Sequence, residues 1–155
     1  MARAKVTEEM REDFDLFLTE MDFLFEDLEA AMANTPHGGA VAFDDDSLTR
    51  IEGFYLSVLA GKQRTSMSAQ RLDRIITAFY GEAMRVRAGQ GTWVLVEEGD
   101  NRGTPAVAGW ANDAIDFNPV VSRELQKEDH EPFIVQSVNY AVNRDQIHAN
   151  FFDDL

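Results

Sequence analysis

Apolar residues recur at spacings of three and four through the first third of the chain: Met10, Phe14, Phe17, Leu18, Met21, Leu24, Phe25, Leu28 and Met32. That period predicts one long amphipathic helix over 7–33. Thr7 stands where an N-cap belongs, and Glu8 and Glu9 suit the positive end of the helix dipole. The run Asn34-Thr35-Pro36-His37-Gly38-Gly39 stops it. Asp44-Asp45-Asp46-Ser47 supplies caps for a second helix with Leu48, Ile51, Tyr55, Val58 and Leu59 on its apolar face and Gly61 at its end. A third helix starts near Ser66 or Ser68. Its stripe is Leu72, Ile75, Ile76, Phe79, Ala83 and Val86, and Gly89-Gln90-Gly91 closes it.

The period then changes. Thr92-Trp93-Val94-Leu95-Val96 reads as a strand, Gly99 to Gly103 as a turn, and Thr104 to Trp110 as the hairpin partner, with Pro105 at a strand start or edge. Ala114 to Phe117 reads as a short third strand and Val120 to Lys127 as a short helix. Glu131-Pro132 opens a final helix, with Phe133, Val135, Val138, Val142 and Ile147 available for burial. Three N-terminal helices, a small antiparallel sheet of two to three strands and a C-terminal helix make an α+β fold. No linker-like stretch divides residues 1–155, so one domain is expected.

Charge changes the picture more than composition does. Residues 1–60 carry 14 acids and 4 bases, residues 61–90 carry 2 and 6, and residues 91–155 carry 12 and 4. The net charge of −14 therefore comes entirely from the flanks of one basic island. Such a surface repels nucleic acid and anionic membrane, so neither is expected as a partner. No apolar run approaches the ~18 residues of a membrane span, and no leader with an apolar core follows the basic start. Cysteine is absent, which removes disulfides, thiolate metal sites and thiol nucleophiles; this fits a reducing cytoplasm, the expected location, and also a periplasm.

The candidate chemistry is thin. Gly61-Lys62-Gln63-Arg64 fails the phosphate-loop pattern at position 56, which is Leu, and at position 63, which is Gln. Asp44-Asp45-Asp46 lacks the alternation and glycine of a calcium loop, and capping explains it better. His37, His130 and His148 have no paired ligand spacing. Neither a metal nor a cofactor is expected. Arg71, Arg74 and Arg85 fall within about 60° on the third helix at 100° per residue; ion pairing with acids of the first two helices, or a small anion at the start of the third, accounts for them.

Two sets of residues stand out. Leu16 and Phe23 lie seven apart, off the main stripe of the first helix. Either that helix touches neighbours on two sides or the pair faces a partner. With Glu12, Glu20 and Asp27 they form a candidate protein-binding set. The second set is Glu82, Trp93, Trp110 and Asp116, which would line a pocket between the third helix and the sheet if a small molecule or substrate is bound there.

Tyr80-Gly81-Glu82, Gly91-Thr92-Trp93-Val94, Pro105-Ala106-Val107 and Asp116-Phe117-Asn118-Pro119 resemble small uncharacterised bacterial α+β domains in which a Gly-Glu helix leads into a Gly-x-Trp strand. The resemblance covers about residues 70–125. It implies an interaction or immunity role and transfers no active site. The preferred expectation is a non-enzymatic, bacterial-type protein-binding domain, an inhibitor, immunity-like or accessory protein, steered to a basic partner by its acids. The alternative is a small-molecule-binding or enzymatic domain. A homo-oligomer through the first helix is compatible with both.

Overall fold

The computed structural model describes residues 5–112, 115–120, 134 and 136–143. Among these, three helices precede a two-stranded antiparallel sheet and a C-terminal helix, an α+β order. Helix α1 spans Glu8–Met32, α2 Asp45–Leu59 and α3 Ala69–Ala88. Strand β1 is Thr92–Leu95 and β2 is Pro105–Ala108. The last helix, α4, is described at 134 and 136–143.

Local chemistry sets the boundaries. Thr7, Asp44 and Ser68 each cap a helix by accepting from the backbone N–H three residues on, at Met10, Ser47 and Arg71. Gly89 closes α3 in the left-handed region at φ 75°, where a side chain would be strained. Asp44 caps α2 with its carboxyl held below the ordinary range, chiefly by the Ser47 backbone and side-chain hydrogen bonds.

Helix α3 is the axis of the fold. Residues Ile75 to Ala83, apart from the half-buried Glu82, and then Met84 are all buried, so the helix is covered well beyond the single stripe its sequence pattern suggests. Phe17, Leu24, Leu28 and Met32 of α1 and Leu48, Ile51, Phe54 and Tyr55 of α2 close on it, and Ile134 and Val138 of α4 complete the same core. Each such side chain contributes roughly 1.5–3 kcal/mol by leaving water. The Phe43 and Phe79 rings stack at 5.6 Å, and Phe25 meets both edge-on. Val86, expected on the buried stripe, is instead 44 % exposed in the last turn of α3.

The hairpin pairs Thr92 with Ala108 and Leu95 with Pro105. It packs on α3 at one point of close approach. A Cβ on Gly81 would stand 2.1 Å from the Trp93 ring, so only glycine lets the indole lie on the helix backbone. Among the described residues the expected third strand is a single bridge, in which Val107 and Phe117 exchange both backbone hydrogen bonds at 2.8 and 2.9 Å; Ala114 falls outside them. Pairing goes no further at its C-terminal end because Asn118 turns on itself, its side chain accepting from Val120 N–H. Trp110 lies past the end of β2 rather than on it. The expected short helix at 120–127, apart from Val120, falls outside the described residues, as does the start of the final helix at 131–132.

Candidate functional site

Four of the basic island's six cations are paired, by acids of α1 and α2 and by α3 itself. Arg71 pairs with Asp27. Arg74 pairs with Glu20 at 2.5 Å and with Asp13 at 3.2 Å, and its guanidinium lies 5.3 Å from the centre of the Phe17 ring. Arg85 pairs with Glu82. Arg87 reaches Asp45 at 2.9 Å, the Phe43 carbonyl at 3.2 Å and Asn139 at 2.5 Å, tying α2, α3 and α4 together. Lys62 and Arg64 are the island's two cations with no ion pair among the described residues.

These ion pairs divide the first candidate set. Glu20 and Asp27 belong to the seam between α1 and α3. Glu12 has no ion pair among the described residues and is exposed. Leu16 is 54 % and Phe23 62 % exposed. Helix α1 does touch a second neighbour, the hairpin, through Met10 against Gly103, Arg11 with Glu97 at 3.2 Å, and Phe17 edge-on to Trp93 at 5.2 Å. Leu16 and Phe23 take no part in those contacts. The sequence missed four exposed acids on the same free face, Glu8, Asp15, Asp22 and Glu26; their 100° spacing around the helix was the signal that could have found them.

The second candidate set is also split. Glu82, with 12 % of its side chain exposed, accepts from the Trp93 indole N–H at 2.8 Å and from Arg85. Burial pushes its pKa up, but the Arg85 and Trp93 hydrogen bonds and the Arg85 charge outweigh that and hold it below the ordinary value. Arg85 is raised, first by its hydrogen bond to Glu82. The pair is a salt-bridged clamp on the indole, and Glu82 stays ionised where a general acid would have to hold a proton. Trp110 is 5 % exposed and donates its indole N–H to the Ile115 carbonyl at 3.0 Å. Asp116 is exposed and lines an open cleft of about 600 Å³ with Val96, Glu97, Asp100, Asn101 and Asn118; Glu82, Trp93 and Trp110 are not among its lining residues.

The remaining motifs resolve into structure. Asp44 caps α2, Asp45 pairs with Arg87 and Asp46 with Arg50 at 2.9 Å, so the three carboxylates serve three places. His37 packs edge-on to Phe54 and against Gly53. His130 and His148 lie outside the described residues. Among the described residues no group of three or more His, Asp or Glu could hold a metal ion. No helix among them is long and apolar enough to cross a membrane.

No family model, no curated protein and no solved structure matches the chain.

Proposed function

We propose that this chain is a non-enzymatic, acidic protein-binding domain of bacterial type, acting as an inhibitor, immunity-like or accessory protein. The observation that carries the reading is Leu16 and Phe23, two large apolar side chains 54 % and 62 % exposed on one line of a helix otherwise bordered by acids. Exposed apolar residues that stand together behave as docking anchors, and acids around them raise the encounter rate of a basic partner. The Glu82–Arg85–Trp93 clamp supports the same reading, because it commits the polar groups between α3 and the sheet to packing.

The test is recovery of the tagged protein from its native cells at low and high salt, beside a Leu16→Ser/Phe23→Ser variant shown to be folded by its circular dichroism. A stoichiometric basic protein that leaves at high salt and is lost by the variant is the expected result. Recovery alone at both salts, or equal capture by the variant, would overturn the reading.

A further inference from the structure

Between the seam to α3 and the contacts with the hairpin, α1 leaves an arc of roughly 120° at 100° per residue. It carries five acids, Glu8, Glu12, Asp15, Asp22 and Glu26, with Leu16 and Phe23 along one edge, and every one of these side chains is exposed. No base lies on it: Arg11, the helix's single cation, is turned toward the hairpin and paired with Glu97. The far side of the Leu16–Phe23 line is closed by the Glu20–Arg74 and Asp27–Arg71 pairs.

We infer that the occupant of this arc is a cationic amphipathic helix laid along α1, with two apolar residues seven apart and Lys or Arg on the flank that faces the free acids. The inference rests on the binding role proposed above and specifies its partner. Charge selects the occupant. A second copy of this chain would set the same acids against themselves, and like charges in register are repulsive. The chain's own segments 121–133 and 144–155 are each net acidic, and residues 1–4 hold a single arginine, so none of them supplies the missing cations. Geometry selects the form. Leu16 and Phe23 stand about 10 Å apart along the axis, two helical turns, and a facing helix repeats that spacing with its own seven-residue interval. The acids extend from the first turn of α1 to its last third, so the cations must be spread along a similar length, which a helix does and a compact basic loop does not.

The experiment measures binding of the full chain to a labelled synthetic helix of about 18 residues, some five turns, with leucines seven apart among lysines and alanines. The control is a peptide of equal composition whose leucines are scattered around the helix. The expected result is binding at low salt that falls as salt rises, with the patterned peptide preferred by about tenfold and that preference lost in Leu16→Ser/Phe23→Ser. A Glu12→Gln/Asp15→Asn/Glu26→Gln variant should flatten the salt dependence and keep the preference. Equal binding of the two peptides, or no effect of the apolar variant, overturns the inference. So does a dimer in sedimentation that dissociates in the apolar variant, since the occupant is then a second copy. If the patterned peptide fails while the apolar variant still loses its cellular partner, the helix is the wrong form and the binding role stands. If the variant loses neither, both fall.

Discussion

Helices α1 and α3 start from similar patterns, an apolar stripe with charges around it, and end in opposite situations. Helix α3 is enclosed: α1, α2, α4 and the hairpin all pack on it, and four of its arginines are neutralised by named carboxylates. Helix α1 has ten acids and one base, spends three acids on α3, and leaves the rest to water. The basic island is mostly a row of intramolecular pairs, as the ion-pairing expectation for Arg71 and Arg74 had it, while Arg85 pairs within α3 and the acidic flank is the face the molecule presents. Which acids of α1 keep their charge unpaired is decided by the packing of α1 on α3.

The enclosed side should break hardest. Gly81→Ala places a methyl 2.1 Å from the Trp93 ring, and the overpacking should cost about 1–3 kcal/mol in denaturant unfolding, while Ala at exposed Gly61, strained by its φ of 74° but free of neighbours, costs less. Glu82→Ala leaves the Trp93 indole N–H and Arg85 without their acceptor and should cost roughly 1–3 kcal/mol. The same carboxylate gives a pH signature. Its folded pKa lies below its unfolded value near 4.5, so its contribution is complete above that value and is lost as pH falls through the folded pKa. Unfolding followed from pH 6 to pH 3 should show wild type losing more stability than Glu82→Gln; parallel curves would show the clamp to be energetically idle. Arg74→Met keeps most of the contact with Phe17 and removes the charge, and about 1 kcal/mol is expected because both Arg74 and Glu20 are less than a quarter exposed. On the free side, Leu16→Ser/Phe23→Ser should leave the unfolding midpoint almost unmoved, within about 0.5 kcal/mol, because neither residue packs in the core. A large loss there would erase the contrast between the two helices.

Much of the architecture was legible because it is local. The caps at Thr7, Asp44 and Ser68 and the glycine at 89 are sequence signals, and the helices begin and end within a residue or two of them. The hairpin was legible from its turn and alternation. The third strand was not, since Phe117 and Val107 make one bridge whatever the β-propensity around them. The site was legible in halves. The Leu16–Phe23 line came from helical periodicity, but nothing in the sequence says that Glu20 and Asp27 meet arginines more than forty residues away while Glu12 does not. Glu82 stands among the candidate pocket residues; that it holds the Trp93 indole depends on the glycine before it, which admits the ring.

Glu52 is fully buried in α2, and its carboxylate accepts a hydrogen bond from the Ile134 backbone N–H at 2.7 Å, where α4 is anchored. Acceptor and donor are separated by 82 residues. On the ribosome, α2 emerges well before residue 134 is made, so Glu52 must wait for this partner. Ile134 and Val138 complete the core that α1, α2 and α3 begin, so its last side chains arrive through a long loop closure, the slow kind of contact to form. Pulse-labelling hydrogen exchange during refolding should find the Ile134 amide protected after those of Ile75 to Phe79.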